Sequence, residues 1–259
     1  MKFLRFNNKY GKPSFGLLKD SAVYEIEGEI FGEHKVTETT YDISKIKVLP
    51  PCSPSKIVAV GLNYRDHVEE MKKSIPEEPL LFMKPSTSVI GHEDEIRYPR
   101  HMSSRVDYEG ELAVVIGKKA AWIKEKEALD YVFGYTCLND VTARDLQAKD
   151  VQYTRAKGFD TFAPIGPFIE TELDPENLEI STFLNDELRQ HSSTSNLIFN
   201  VRQLTSFISR IMTLLPGDII ATGTPSGIGS MKIGDKVEVE IKGIAKLRNY
   251  VHGLVNQDT

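Results

Sequence analysis

The segment Val106–Ile116, with the sequence VDYEGELAVVI, combines a strand-forming pattern with two acidic side chains. Successive side chains of a strand point to opposite faces, so Glu109 and Glu111 share one face while Leu112 and Val114 occupy the other. Two like charges among apolar neighbours repel each other and lose hydration unless a cation or several donors lie between them. The segment therefore predicts either a cation site beside a buried strand or an exposed strand face with two hydrated carboxylates.

A third acidic residue follows a second apolar strand pattern, which covers residues 132–138 and ends at Asn139-Asp140. Thr142 resembles a helix N-cap, and Asp145, three residues later, resembles the reciprocal member of a capping box. Asp140 lies outside that box, where its carboxylate can point toward the acids of a neighbouring strand or favour the start of the following helix. The spacing leaves both roles of Asp140 open.

Three carboxylates without a nearby His or Cys would form a metal site made of oxygen ligands alone. Such a ligand set favours Mg²⁺ or Mn²⁺, and less often Ca²⁺, over Zn²⁺ or copper. Because Mg²⁺ commonly keeps positions for water or substrate oxygens, a site formed by Glu109, Glu111 and Asp140 would serve catalysis rather than structural stabilisation.

The composition is that of an ordinary globular protein, and 259 residues suffice for one large domain with a small appendage. The net charge of −5 offers no basic excess for phosphate groups, so we expect no nucleic-acid partner. Cys52 and Cys137 provide neither a disulfide framework nor a CxxC metal motif, which favours a reducing, cytoplasmic setting. Because no signal-like run opens the sequence and no apolar run approaches a membrane span, we expect no membrane association.

Turn residues divide the chain into two predicted units. Residues 1–50 contain short strand patterns separated by Gly, Lys and Asp, and a proline-rich segment at 50–54 ends this unit. Beyond it the clearest helix pattern is 200–212, where Asn200 can serve as the cap. A second helical stretch runs from Asn63 to about residue 73, and the strand patterns cover 56–60, 80–84, 106–117, 132–138, 178–184, 218–222 and 236–241. We therefore predict a mostly β protein with some helix, composed of a small N-terminal β domain at 1–50 and a catalytic domain at 51–259.

Four motifs, taken together, resemble the fumarylacetoacetate hydrolase family. They are Gly61–Met71 (GLNYRDHVEEM), Asp107–Ala113 (DYEGELA), Asn139–Gln147 (NDVTARDLQ) and Thr222–Gly227 (TGTPSG). The motifs occur in the family's order and span most of residues 56–250. The resemblance implies the family's rolled, mixed β-sandwich, usually found as a homodimer. It also implies that Mg²⁺ or Mn²⁺ binds to the acid trio, which we define as Glu109, Glu111 and Asp140.

The resemblance further implies catalytic roles for residues outside the acid trio. His67 and Glu70 would form a water-activating pair, and their i, i+3 spacing places them side by side on a helix. Lys157 matches a family lysine that faces the metal, where its ammonium would stabilise negative charge on a substrate oxygen. Alternatively, His67 is an exposed helix residue and Lys157 a hydrated surface lysine, and neither takes part in catalysis.

Three more residues correspond to positions on the substrate side of the family's site. Arg144 and Gln147 lie on one face of the helix after Asp140, although Arg144 could instead form only surface ion pairs. Thr224 would offer its hydroxyl, with backbone N–H groups of the same turn, to a substrate carboxylate. That turn lacks the Gly-Lys-[Ser/Thr] ending of a phosphate loop, so nucleotide binding is not expected. Residues 71–105 are expected to line the pocket.

One position departs from the tyrosine-degradation member of the family, which carries a fourth acid seven residues before its catalytic histidine. Val60 stands there in this chain, as in smaller members with three acids, so fumarylacetoacetate is not the expected substrate. The predicted reaction is hydrolysis of a C–C bond in a small 2,4-dioxo acid of the acylpyruvate type, through a metal-stabilised pyruvate enolate. The alternatives are decarboxylation of oxaloacetate, tautomerisation or isomerisation of a 2-oxo acid at the same metal site, and a metabolite-binding protein without activity.

Overall fold

The computed structural model describes residues 1–253, and most of its regular structure is strand. The strands are β1 (Lys2–Asn7), β2 (Pro13–Lys19), β3 (Ala22–Gly28), β4 (His34–Asp42), β5 (Val48–Leu49), β6 (Ile57–Gly61), β7 (Leu80–Lys84), β8 (Val89–Ile90), β9 (Glu95–Tyr98), β10 (Val106–Tyr108), β11 (Gly110–Ile116), β12 (Val132–Asn139), β13 (Thr142–Ala143), β14 (Ala163–Glu170), β15 (Glu179–Leu184), β16 (Glu187–Ser193), β17 (Ile219–Ala221), β18 (Gly229–Met231), β19 (Lys236–Ile241) and β20 (Ala245–Gly253). The α-helices are α1 (Arg65–Glu70), α2 (Arg144–Lys149), α3 (Thr154–Lys157) and α4 (Val201–Ile211). Short 3₁₀ segments occur at Ile43–Lys45, Ser86–Ser88, Glu125–Tyr131, Pro175–Asn177 and Thr194–Asn196. The predicted mostly β class is confirmed.

The largest sheet has twelve strands, in the order β4-β3-β2-β1-β14-β12-β11-β17-β6-β7, with β5 beside β1 and β8 beside β14. A five-stranded sheet has the order β16-β15-β19-β20-β9, and a three-stranded sheet has the order β13-β10-β18. Strand β11 pairs antiparallel with both β12 and β17. The register places Gly110 opposite Asn139 and Glu111 opposite Leu138. The ends of the two acid-bearing motifs therefore meet on neighbouring strands.

Both faces of β11 are buried. Leu112 and Val114 contribute to a core that also contains Leu204 and Ile208 of α4, whereas Val115 contributes to a second core on the opposite face. Burying one such side chain stabilises the fold by roughly 1.5–3 kcal/mol. The alternative of an exposed strand face at residues 106–116 is therefore wrong.

Residues 1–50 share both a sheet and a core with the remainder of the chain. Strand β1 pairs antiparallel with β14, with Phe3 opposite Ile169. The side chains of Phe3 and Leu17 pack in the same cluster as Ile57 and Ile169. The predicted boundary after residue 50 follows β5 directly. Of the predicted catalytic unit, residues 254–259 lie outside the described part of the chain.

The predicted helix at 200–212 is present as α4, and its capping explains its start. The Asn200 side chain accepts a hydrogen bond from the Gln203 backbone N–H at 3.0 Å, and the Gln203 side chain accepts one from the Asn200 N–H at 2.9 Å. This reciprocal pair satisfies backbone donors that the first helical turn leaves free.

The capping box predicted at Thr142 and Asp145 is wrong. Thr142 belongs to β13, which pairs with β10, and its hydroxyl donates to the carbonyl oxygen of Asp140 at 2.8 Å. Helix α2 begins two residues later, and the carboxylate of Asp145 accepts from the hydroxyl of Ser103 at 2.6 Å. Strand pairing over a long sequence separation outweighed the local capping preference.

Among residues 1–253, every helix is too short or too polar to cross a bilayer.

Candidate metal centre and catalytic cavity

The acid trio converges at one point of the fold. Glu109 follows β10, Glu111 lies on β11 and Asp140 follows β12. One carboxylate oxygen from each of the three lies within 4.8 Å of the others, and all three side chains are buried. The backbone N–H of Asp140 donates to the carbonyl oxygen of Glu109 at 2.8 Å, which fixes the two segments against each other.

Three buried or nearly buried cations neutralise this cluster. The Nζ of Lys157 lies 2.5 Å from Asp140 Oδ2 and 2.9 Å from Glu109 Oε2. The Nζ of Lys84 lies 2.5 Å from the other oxygen of Asp140, and the Arg144 guanidinium contacts the other oxygen of Glu109. Sequence reasoning missed Lys84. The available signal was a charged residue at the end of an apolar strand pattern, which is the same signal that identified Asp140.

Glu111 is the least compensated member of the trio. Burial alone would raise the pKa of Glu109, but Lys157 and Arg144 lower it to about 2. Burial, together with Asp140 and Glu109, raises the pKa of Glu111 well above its ordinary value. Glu111 accepts a hydrogen bond from the Gly223 N–H at 2.8 Å, and no lysine or arginine within residues 1–253 forms an ion pair with it. A bound divalent cation would supply the missing positive charge.

The chemistry of this donor set fits Mg²⁺ or Mn²⁺. Glu109, Glu111 and Asp140 offer three carboxylates from separate positions, and hard divalent cations prefer oxygen ligands. Their oxygens are close enough to share one ion, and the neighbouring cavity leaves space for further oxygen ligands.

His67 lies on the first turns of α1 and is paired with Glu70 as predicted from their spacing. Its Nδ1 is 2.9 Å from Glu70 Oε2, and Glu70 Oε1 accepts a hydrogen bond from the Gly227 N–H at 2.9 Å. A carboxylate beside Nδ1 favours the tautomer that carries the proton on that nitrogen. The Nε2 of His67 is then the basic nitrogen, and the ring lines the cavity beside the acid trio.

Arg144 and Gln147 are held together at the cavity wall. The Arg144 guanidinium donates from Nε to Asp107 at 2.9 Å and from Nη1 to Gln147 at 2.5 Å. The side chain of Arg144 is only 16% exposed, so it does more than form surface ion pairs. Asp107, which sequence reasoning missed as a site residue, is fully buried and also accepts from Arg105.

Thr224 lines the cavity, but its hydroxyl is already bonded within the protein. The hydroxyl donates to the Gly110 carbonyl at 2.9 Å and accepts from the Gln190 side chain at 2.8 Å. Donation from this hydroxyl to a substrate carboxylate would require the bond to Gly110 to break. Gln190 has no counterpart in the sequence motifs and was not predicted.

Eight of the nine predicted site residues line one small cavity of about 60 Å³. The ninth, Glu70, is hydrogen-bonded to one of them, His67. Apolar side chains, including Val60, Phe82 and Tyr153, form part of its wall. Of the predicted pocket segment 71–105, four residues reach this cavity: Met71, Lys73, Leu80 and Phe82.

The mostly β fold carries a buried acid trio and a His–Glu pair at one cavity, and comparison with known families identifies the class of protein that has this fold. Residues 56–252 match the family model described as fumarylacetoacetate (FAA) hydrolase C-terminal, and residues 1–51 match the model described as Rv2993c-like, N-terminal. The chain belongs to the fumarylacetoacetate hydrolase family, which confirms the resemblance found in the sequence.

Two relatives are similar to this chain over most of its length. An uncharacterized protein of Archaeoglobus fulgidus is 59% identical over 87% of this chain and 89% of its own length. The oxaloacetate tautomerase YisK of Bacillus subtilis is 44% identical over 82% of this chain and 75% of its own length.

Solved structures show the same fold over nearly the whole chain. The 2-hydroxyhepta-2,4-diene-1,7-dioate isomerase from Mycobacterium marinum has a TM-score of 0.92 and 39% identity, covering 99% of this chain and 100% of that chain. The maleylpyruvate hydrolase from Sphingobium sp. SYK-6, in complex with manganese(II) ion and pyruvate, has a TM-score of 0.81 and 26% identity, covering 98% and 99%. These relatives include a tautomerase, an isomerase and a hydrolase.

Proposed function

We propose that this chain is a divalent-metal-dependent enzyme that interconverts the enol and keto forms of a small 2-oxo dicarboxylic acid of the oxaloacetate type. The observation that carries the proposal is the buried His67, held by Glu70, at the cavity lined by the acid trio and Lys157. Proton transfer at a carbon next to a carbonyl requires a base in this position. The 44% identity to the B. subtilis oxaloacetate tautomerase supports this substrate class.

The residues of the chain would share the chemical work as follows. A proton moves from C3 of the keto acid to Nε2 of His67, and the C–H electron pair becomes the C2–C3 double bond of an enolate. Glu70 stabilises the imidazolium through its contact with Nδ1, and the Lys157 ammonium stabilises the charge on the enolate oxygen. The proton held at Nε2 of His67 then passes to that oxygen, which yields the enol and returns the imidazole to its neutral form. The reverse sequence yields the keto acid. A bound Mg²⁺ or Mn²⁺ would supply Lewis-acid stabilisation of the same charge.

The size and charge of the cavity support a small anionic substrate. Its volume of about 60 Å³ is enough for roughly four water molecules. Lys73 lines the cavity wall, where its ammonium would attract a substrate carboxylate. Arg144 and Lys157 are already paired with Asp107, Glu109 and Asp140, so they would contact the substrate only once a divalent ion binds these carboxylates.

The test is a ketonisation assay with Mn²⁺ in which enol-oxaloacetate is supplied and the keto form is consumed by malate dehydrogenase and NADH. We expect EDTA-sensitive turnover, and His67→Ala should lower it by about 100-fold or more because a positioned base contributes 10²–10⁴-fold. Glu69→Gln, on the exposed side of the same helix, is the matched control and should keep the wild-type rate. Full ketonisation by His67→Ala would show that the proposal is wrong.

Hydrolysis of a 2,4-dioxo acid, the reaction predicted from the sequence, is the second candidate. The His67–Glu70 pair could instead deprotonate a water that adds to C4, after which the C3–C4 bond breaks and its electron pair leaves with the pyruvate enolate. The similarity to the maleylpyruvate hydrolase in complex with manganese(II) ion and pyruvate favours this reading. Release of pyruvate from acetylpyruvate, with no acceleration of oxaloacetate ketonisation, would select hydrolysis.

We further propose that the enzyme acts as a homodimer, as the family resemblance implies. Strand β7 supports this because, among the described strands, it pairs only with β6, and its Leu80 and Met83 are 43% and 51% exposed. Sedimentation equilibrium should then give about twice the chain mass of 29.2 kDa. The cytoplasmic location stays a prediction.

A further inference from the structure

Helix α1, which carries His67, depends on its surroundings for its position. It has six residues and is followed by a segment without regular structure until β7 begins at Leu80. A helix of this length is unstable in isolation. The location of the His67 ring is therefore set by contacts between α1 and the body of the protein.

Two carboxylates flank His67 on α1, and each contacts a different part of the body. Glu70 accepts from the backbone N–H of Gly227, as described above. Asp66 accepts from the hydroxyl of Ser192 through Oδ2 at 2.6 Å, and its Oδ1 accepts from the backbone N–H of His67 at 2.7 Å. Asp66 thus joins the residue that bears the imidazole to β16.

Ser192 is oriented for this contact. Its oxygen accepts a hydrogen bond from the side chain of Asn196 at 3.0 Å, which leaves the hydroxyl proton for Asp66. The bond is short and its acceptor is a carboxylate, the combination that makes hydrogen bonds between side chains strong. The same strand also supports the turn opposite α1, because Gln190 donates to Thr224 and to the Pro225 carbonyl, each at 2.8 Å.

We propose that Ser192 and Asp66 are positioning residues that hold the His67 ring at the cavity before substrate binds. The inference rests on the proposed role of His67 as the base. Ser192 lies 126 residues from Asp66 in the sequence and outside all four family motifs. Its hydroxyl bonds to Asp66 and not to the acid trio, so we expect its effect on the site to be transmitted through α1.

The first test measures hydrogen–deuterium exchange of residues 64–73 in the complete protein without substrate. Ser192→Ala should speed exchange in this segment by about ten-fold, because one hydrogen bond to a charged group is lost. Ser192→Thr keeps the hydroxyl and should preserve slow exchange. Ser44→Ala, which removes an exposed serine–aspartate hydrogen bond to Asp42 at 2.7 Å, is the matched control and should leave α1 unchanged. Equal exchange in Ser192→Ala and Ser44→Ala would overturn the proposal.

The second test is a double-mutant cycle on ketonisation. Ser192→Ala should lower kcat/KM by about five- to ten-fold, and adding it to Asp66→Ala should have no further effect, because the two residues share one contact. Additive losses would mean that Ser192 acts independently of Asp66 and would refute the proposal. The exchange measurement needs no substrate, so it tests the position of α1 independently of the reaction. Faster exchange of α1 in Ser192→Ala would support the Ser192–Asp66 contact as the determinant of α1 position. Full activity of His67→Ala would refute the proposed function even in that case.

Discussion

At the scale of single residues, charge balance determines what the site can bind. Lys157 donates to two members of the acid trio, at 2.5 Å from Asp140 and 2.9 Å from Glu109. An ammonium at these distances occupies carboxylate oxygens that could otherwise bind a divalent ion. Lys157 would therefore compete with a bound ion for ligands, and its ammonium would then be free to contact the substrate.

Because of this competition, Lys157→Met should change Mn²⁺ binding and turnover in opposite directions. We expect the Mn²⁺ affinity to rise by about ten-fold, since a neighbouring positive charge and a competing donor are both removed. Ketonisation should fall by about 100-fold, because the cation that stabilises the enolate oxygen is lost. Isothermal titration with Mn²⁺ measures the first effect, and Lys149→Met, an exposed position on α2, is the control. Weaker Mn²⁺ binding by Lys157→Met would contradict the argument.

The residues that sequence reasoning found and missed differ in a physical way. Glu109 and Glu111 could be predicted as site residues from the sequence, because strand alternation is a local pattern. Two acids among apolar residues also require a compensating positive charge. Lys84 and Asp107 were not found, because their roles depend on partners 56 and 37 residues away. Thr224 was predicted at the substrate side of the site, but its hydrogen bond with Gln190 depends on the hairpin of β15 and β16, which lies outside all four motifs.

At the scale of elements, the parallel pair β6 and β17 aligns two parts of the site. Strand β6 leads into α1 with its His67, and β17 leads into the turn that contacts Glu70. Asp218, directly before β17, joins the starts of both strands. Its carboxylate accepts from the Ser55 hydroxyl at 2.6 Å and contacts the Lys56 ammonium at 2.5 Å. This cluster fixes the register in which Ile57 lies opposite Ile219.

Asp218→Asn should lower the melting temperature by about 4–8 °C, which corresponds to a loss of about 2 kcal/mol in a protein of this size. Burial alone would raise the pKa of Asp218, but hydrogen bonds from Lys56 and Ser55 lower it below its ordinary value of 3.8. The stabilisation is therefore complete above pH 3.8 and disappears as the pH falls through the lowered pKa. Thermal unfolding between pH 3 and 7 should show the wild type and variant converging at low pH. Asp130→Asn, at an exposed site, serves as control, and a difference that is constant with pH would contradict this account.

Local signals also explain which elements were predicted correctly. The helix at 200–212 was found because its capping box and apolar spacing lie within one stretch of sequence. The false capping box at Thr142 had an equally local signal, but pairing with β10 fixed that segment as a strand. Helix α1 was predicted to run to about residue 73 and ends at Glu70.

At the scale of the whole molecule, the order of strands could not be derived from the sequence. The pairing of β1 with β14 brings Phe3 opposite Ile169, and no local pattern encodes a contact over that separation. The predicted division after residue 50 rests on turn residues in the sequence. The core nevertheless crosses that division, because Phe3 packs with Ile57 and contacts the ring of Phe133 at a centroid distance of 5.1 Å.

A shared core predicts that the two units unfold together. Phe3→Ala should lower the free energy of unfolding by about 3–5 kcal/mol, because it leaves a cavity between residues 1–50 and the catalytic sheet. Hydrogen–deuterium exchange should then accelerate by the same factor in β2 and in β12, since both depend on one global opening. Tyr10→Ala, which truncates a side chain that is 72% exposed, is the control. Acceleration confined to residues 1–50 would mean that the N-terminal unit opens independently, and that the catalytic sheet is stable without the side chains it shares with β1.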